Sequence, residues 1–444
     1  MFTYVKLNNY RSLNNVIFDL KETKEKTKKL VAVYGENGCG KSNLIRSFSF
    51  LFKLMHSFDI EKNEIEITKI INEHKETDLR SLLMDMLKKN SLSTIYEESR
   101  TIDCEDNTRV EFGFEVDNHE GNYVVEFNDK IVYERLYYYT GKQSGVLYEI
   151  TDDSMRDPKL SNLIFKSSKI RNELKESIQK YWGRHSLLSI TYDLSKKTNK
   201  EYISDNISDY FFCLHKAIEE TSITLKESQF ETTLGSCNDI NCVSDLKKGE
   251  IPAKNLWLLK NTEKMINDFF TQTYSDVKKV SFNTEKNGEN IKYRLVLYKN
   301  INNKIRLVPI EQESTGTMQI LNVLKSLFGV FCGRTVIIDE VDNGVHDLLL
   351  KVVIDSMKEH ITGQLIITTH NTSLLESFDP KMVYIINSKY DGTKEMICLS
   401  EYKIQDHNSP RIRYMKGMYG GVPLVDYVDY VEIINNLKEK RPDV

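Results

Sequence analysis

No apolar run in the 444 residues approaches the roughly 18–20 that a membrane-spanning helix needs. The N-terminus, MFTYVKLNNYRSL, lacks the basic-then-apolar pattern of a secretory signal. These absences predict a cytoplasmic protein with no membrane partner. Cysteine is sparse and scattered: Cys39, Cys104, Cys213, Cys237, Cys242, Cys332 and Cys398, an odd number with no C-x-x-C. That excludes a disulfide framework and a tight zinc knuckle, although the gap between Cys237 and Cys242 leaves a looser site open. Free thiols in a reducing compartment follow. The net charge is only −4, so any contact with DNA must come from a local patch. Internal repeats and low-complexity tracts are absent.

What remains is a soluble, globular composition, 40% hydrophobic and 28% charged, long enough for two or three ordinary domains. Within it, Gly35-Glu36-Asn37-Gly38-Cys39-Gly40-Lys41-Ser42 fits G-x-x-x-x-G-K-[ST], the phosphate-binding loop of nucleoside triphosphatases. The apolar run Leu30 to Val33 before it reads as a buried strand. Leu44, Ile45, Phe48 and Leu51 after it recur at helical spacing. In that setting backbone N–H groups turn inward around phosphate oxygens, and the helix aims its positive end at them. Lys41 would reach the β- and γ-phosphates, Ser42 would hold Mg²⁺, and Asn43 completes the ATP-contacting stretch. The bland alternative is a Gly-rich turn without a ligand.

The rest of the chain divides by pattern. The charged run Lys21 to Lys29 reads as a solvated connection between edge strands. Residues 44–100 read as helical and polar. From about 108 to 150, Val110, Phe112, Tyr123 to Phe127 and Lys130 to Leu136 form an antiparallel meander separated by Asn-rich turns. Residues 155–275 are mainly helical, with a stripe of Leu163, Ile164, Ile170, Leu174, Ile178 and Tyr181. The last third alternates strand and helix, with strands at Thr335–Ile338 and Gln364–Thr368 and a helix from His346 to His360, the βαβ rhythm of a parallel sheet.

Chemistry recurs far downstream. Val336-Ile337-Ile338-Asp339-Glu340 places two carboxylates at the carboxyl edge of that sheet, where open α/β folds bind ligands. Asp339 would hold Mg²⁺ and Glu340 would polarise the attacking water. Glu311-Gln312-Glu313-Ser314-Thr315-Gly316-Thr317-Met318-Gln319 precedes a helical stretch, and Thr368-Thr369-His370-Asn371 ends a strand. Ser314 with Gly316 is either an ordinary helix cap or an anion site at a helix N-terminus. In this order the parts resemble the ABC-type ATPases of the SMC/RecF/OLD branch. Asn9-Tyr10-Arg11-Ser12-Leu13 resembles the first-strand motif of the same branch, with Arg11 either a nucleotide contact or a surface residue.

The resemblance implies an α/β ABC ATPase head, a mixed sheet with an antiparallel meander plus a parallel P-loop core, interrupted by a mainly helical insertion. Its parts would be residues 1–154, the insertion 155–275, and residues 276–444. It implies ATP and Mg²⁺ as cofactors and ATP held between two heads of a homodimer or higher homo-oligomer. Ser314 and Gly316 would face the partner's γ-phosphate, while Glu340, His370 and Lys41 would carry catalysis, with His370 sensing the γ-phosphate. The family's glutamine loop has only Gln143 as a candidate. The tail Arg411 to Pro423 resembles that of single-head anti-phage defence ATPases, such as the ATPase of PARIS-like systems, or is a turn-rich connection to a last helix. The first reading implies a sensor or scaffold controlling a separate effector protein, a TOPRIM-type nuclease. Too few residues follow His370 for a nuclease domain here, and Asp426 and Asp429 read as solvent-facing. A RecF/SMC-like DNA-repair or chromosome-maintenance ATPase and a non-hydrolysing nucleotide-gated scaffold are the alternatives. The basic residues Lys166, Lys169, Arg171, Lys175, Lys180, Arg184, Lys196, Lys197 and Lys200 form either a phosphate-tracking face or a solvated one.

Overall fold

In a computed structural model of the chain, the described residues form three β-sheets that carry the fold. The structure describes residues 1–73, 80, 81, 83, 84, 87, 91–116, 118–139, 144–227, 230–235, 241–402, 409–423 and 428–438. Gln143, Cys237 and Asp426 lie outside them. The chain opens with the hairpin β1 (Phe2–Asn8) and β2 (Val16–Asp19). β3 (Leu30–Gly35) then leads through the phosphate loop into α1 (Lys41–Met55). The connection before β3 is charged but not wholly solvated. Lys28 is buried, with its ammonium over the Tyr384 ring and donating to the Tyr384 hydroxyl at 2.5 Å.

After α2 (Ser57–Glu73) and α3 (Leu92–Ser99) come β4 (Thr108–Val116), β5 (His119–Phe127), β6 (Ile131–Tyr139), β7 (Ser144–Thr151) and β8 (Lys159–Leu160). They extend β1 and β2 into one antiparallel sheet, ordered β2-β1-β4-β5-β6-β7-β8. This is the meander predicted from alternation. Helices α4 (Ser168–Tyr181), α5 (Leu187–Lys197), α6 (Lys200–Asn206) and α7 (Asp209–Glu219) pack into the same core. Ile170, Leu174 and Ile178 point inward as the stripe requires, whereas Leu163 is exposed.

The stretch read as one helical insertion is divided by the structure. Ser222 to Leu234 form β9 (Ser222–Glu227) and β10 (Phe230–Leu234), and β9 joins the central sheet. Its core signal is short, Ile223 and Leu225 alternating with polar neighbours, and helical patterns before it mask that signal. β11 (Lys248–Pro252) and α8 (Leu256–Thr273) belong instead with β12 (Val277–Asn287) and β13 (Asn290–Ile301) around a smaller core, and β14 (Lys304–Pro309) pairs with β13 with most of its residues exposed. Then come α9 (Thr315–Phe331), β15 (Thr335–Ile338), α10 (Asp347–Met357), β16 (Gln364–Thr368), β17 (Val383–Ser388) and β18 (Lys394–Cys398). α11 (Pro410–Met415) and α12 (Tyr430–Lys438) end the described chain.

The central sheet runs β10-β9-β15-β16-β3-β17-β18, with β9, β15, β16, β3 and β17 parallel. Such strands are buried on both faces and read as continuous apolar runs. Val31, Val33, Ile337 and Ile366 face α1 and the antiparallel sheet. Ala32, Tyr34, Val336, Ile338, Leu365 and Ile367 face α9 and α10. Buried Gln364 fastens the two sheets. Its carboxamide accepts from the Phe2 N–H at 2.8 Å and donates to the Phe2 and Lys28 carbonyls. This is the α/β architecture expected, an antiparallel meander beside a parallel P-loop core.

One titrating group sits deep in the helical layer. His215 contacts the carbonyls of Leu188 and Phe211 and the Thr191 hydroxyl, and burial depresses it to about 4. The unfolded ring, near its ordinary 6.5, takes up a proton before the folded one does. Stability is therefore fully present above pH 6.5 and is lost as pH falls toward 4. The linkage amounts to about 3 kcal/mol at most. Urea unfolding across that range should show a shallower acid loss in His215→Gln than in the parent.

Candidate functional site

The site forms where β3, β15 and β16 end side by side. Parallel pairing brings Thr368 level with Val33, and Ile338 level with Ile367. The loops leaving the three strands thus meet at one edge. The phosphate loop leaves β3. Its Gly38 has φ 79° and open space where a side chain would sit. Gly40 caps α1 without a side chain, and the first turn of α1 carries no acid. The helix N–H groups are thus open to an anion. Lys41 is buried, and its ammonium donates to the carbonyls of Gly35 at 2.8 Å and Glu36 at 3.0 Å. Cys39 is buried within the loop, its thiol pushed up by burial, which leaves its backbone as the useful part.

The carboxylates leave β15. Asp339 is buried and accepts a hydrogen bond from Thr368 Oγ1 at 2.6 Å, and the nearby Ser42 hydroxyl favours its charged form. Burial still holds its carboxyl above the ordinary carboxylate range, the two hydroxyls and Arg46 pulling against it. A divalent cation at Ser42 and Asp339 would relieve that burden. An oxygen pair of this kind, one hydroxyl and one carboxylate beside an anion-binding loop, suits Mg²⁺ with water and phosphate completing its shell. The glycine cradle, the uncapped helix and the buried ammonium likewise fit a nucleotide polyphosphate.

Glu340 follows at φ 48°, a left-handed conformation rare outside glycine and costly enough to mark functional positions. Its N–H donates to Thr368 Oγ1 at 2.7 Å, and its carboxylate pairs with Lys226 of β9. His370 leaves β16 with its backbone N–H on Asp342 Oδ2 at 2.9 Å. Loss of hydration first, and Lys41 second, push its imidazole below the usual range, which leaves the ring neutral at pH 7. Lys41, Ser42, Asp339, Glu340 and His370 are thus brought together. Thr368 and Lys226 also belong to the cluster. Thr368 stands in the Thr-Thr-His-Asn run, whereas Lys226 gives no local signal in the sequence.

The remaining predicted residues lie around this centre. Asn43 donates to Ser12 at 2.8 Å, which fastens the turn after β1 to the start of α1. Arg11, also in that turn, pairs with Glu98 at 3.2 Å. Ser314 caps α9, accepting from the Thr317 N–H at 3.1 Å. Gly316 lies so close to the Gly344 carbonyl that a Cβ there would sit 2.3 Å from its oxygen. Among the described residues, no hydrogen bond joins Ser314 or Gly316 to the phosphate loop. The tail closes the far side. Tyr414 packs on Tyr34 and donates to the Gly421 carbonyl, and Tyr414, Met415, Val422 and Pro423 wall a cavity of about 360 Å³ with Glu36, Asn37 and His370. The tail is therefore part of the site's wall.

Two other clusters resolve as structure. Ser57, His185 and Glu61 are joined in series at 2.8 and 2.9 Å, an order also found in hydrolases. Ser57 and His185 are fully buried, however, so the chain of bonds ties helices together and admits no substrate. Among the basic residues of 166–200, Lys169, Lys175, Arg184, Lys196 and Lys197 each pair with an acid. No helix among the described residues is long and apolar enough to cross a membrane.

A glycine-rich loop on an uncapped helix, facing a buried Asp with a neighbouring Glu at the edge of a parallel sheet, defines a P-loop ATPase. The chain belongs to the AAA ATPase domain family, which matches residues 1–375. No curated protein matches the sequence. Among solved structures, the fold is similar to an SMC head bound to the C-winged helix domain of ScpA (13% identity, 89% of this chain and 96% of that one, TM-score 0.42). It is also similar to the SMC head domain from Thermotoga maritima (12%, 89% and 98%, TM-score 0.37). A third is an SMC head with an extended coiled coil, bound to the C-terminal domain of ScpA, from Pyrococcus furiosus (12%, 94% and 99%, TM-score 0.40).

Proposed function

We propose that the chain is an ABC-type ATPase that binds Mg·ATP at Gly35–Ser42, hydrolyses it with Glu340, and does so between two paired heads. The observation that carries this reading is the register of β3, β16 and β15, which brings the phosphate loop and the Asp339–Glu340 carboxylates to one edge of the parallel sheet, with the Ser42 hydroxyl favouring the charged form of Asp339. Mg²⁺ there would neutralise phosphate charge, the ordinary source of rate in phosphoryl transfer. Lys41 holds the phosphates, Glu340 polarises water, and neutral His370 reads the terminal phosphate. Thr315 and Gly316 lie against the 342–345 loop, and among the described residues no hydrogen bond joins Ser314 or Gly316 to the phosphate loop of their own chain, which favours their service to a second head. The tail's likeness to single-head defence ATPases supports a sensor or scaffold that restrains a separate effector, a TOPRIM-type nuclease, in anti-phage defence. The ion-paired basic stretch favours this reading over one built on direct DNA tracking.

The pairing is tested by mixing. Lys41→Ala and Ser314→Arg heads should each be inactive alone. Random pairing of the two leaves one intact composite site in half of the pairs, so the mixture should regain about a quarter of parental turnover. A mixture as inactive as its components would sink the shared site. Co-expression with a neighbouring gene's nuclease, expected to yield a stable complex of suppressed activity, tests the effector arm.

A further inference from the structure

We propose that Lys226 is a positioning residue that holds Glu340 in a resting orientation, turned from the phosphate loop, and thereby slows hydrolysis. The inference rests on the reading of Glu340 as the carboxylate that polarises water. Three observations carry it. First, the backbone around Glu340 is pinned. The Asp339 N–H donates to the Thr224 carbonyl, the Glu340 N–H to Thr368 Oγ1, and the Val341 N–H to the Thr368 carbonyl. Only the Glu340 side chain remains free to choose a partner.

Second, the partner it chooses is the Lys226 ammonium, which takes its Oε2. Lys226 sits on β9, and the sheet order β9-β15-β16-β3 puts that strand on the opposite side of β15 from the strand that feeds the phosphate loop. Pairing therefore draws the carboxylate away from where a terminal phosphate would lie. It also occupies an oxygen that would otherwise accept from water, and it neutralises the charge that makes the oxygen a good acceptor.

Third, the pair is switchable. Both side chains keep about a third of their surface exposed, 33% for Lys226 and 30% for Glu340. Partly solvated ion pairs are weak and exchange readily. The carboxylate is therefore clamped for only part of each turnover, and removing the clamp raises the share of time in which it is free to meet water.

Two measurements test this on the full chain. The first needs neither nucleotide nor turnover. Reductive methylation followed by peptide mass spectrometry should label Lys226 at least about threefold faster in Glu340→Gln than in the parent, a factor in keeping with one partly exposed pair. Exposed Lys286 serves as the internal reference. Equal labelling would show that the clamp does not exist in solution. The second is kinetic. Lys226→Met should raise kcat by about threefold or more at unchanged ATP affinity, and Lys226→Arg should behave as the parent. A fall in kcat in Lys226→Met, rescued by Lys226→Arg, would make the lysine a direct contributor and overturn the resting clamp, as would an unchanged kcat. Glu340→Gln as active as the parent would instead overturn the role given to Glu340, and the labelling result would still decide whether the pair forms.

Discussion

Lys41→Ala should lose ATP binding by two orders of magnitude or more in a calorimetric titration. The buried ammonium is held by two carbonyls of its own loop, Gly35 and Glu36, so its position does not depend on distant packing. Charge-assisted hydrogen bonds contribute about 1.5–3 kcal/mol each, and a phosphate-binding lysine makes more than one. Two such bonds amount to roughly 3–6 kcal/mol, a factor of about 10² or greater. The substitution should leave the fold intact, because Gly35 and Glu36, whose carbonyls it abandons, line a cavity from which water can replace the ammonium. A parental affinity in the variant would remove the phosphate loop from the binding site.

Glu340→Gln should keep ATP affinity and lose turnover by roughly two to four orders of magnitude, the usual contribution of a positioned general base. The amide keeps the shape of the carboxylate and cannot take a proton. If hydrolysis is what separates paired heads, ATP should then accumulate the pair, seen as an ATP-dependent rise in mass by light scattering. Turnover within a few-fold of the parent would move catalysis to another group. The two variants separate cleanly, since one fails to bind and the other binds without turning over.

Much of the site was legible because it is local. The phosphate loop carries its own strand and helix, and the run from Val336 to Glu340 carries its own strand. Burial of β3, β15 and β16 on both faces left continuous apolar runs that need no partner to be recognised. The antiparallel meander was legible for the complementary reason, since alternation survives wherever one face is polar. What stayed hidden is held by pairing across long separations. Lys226 reaches Glu340 across 114 positions, through a strand whose six residues offer only Ile223 and Leu225 as a core signal. Gln364 looks like an ordinary polar residue in a strand until β1 lies beside it, 362 positions away. The same holds for the tail. Its glycines could be counted in the sequence, but the contact of Gly421 with the start of the phosphate loop depends on β17 being the neighbour of β3.

Thr368 lends the site a direction. A hydroxyl owns one proton, and here that proton goes to Asp339 Oδ1, while the oxygen's lone pair receives the N–H of Glu340. The three groups form a one-way relay in which each bond polarises the next. A cation drawing electron density from Asp339 is therefore felt, through a single side chain, at the amide that anchors Glu340. Asp339 and Glu340 are not two independent acids placed side by side. They answer as one unit, and the tuning element between them is the orientation of a single O–H bond.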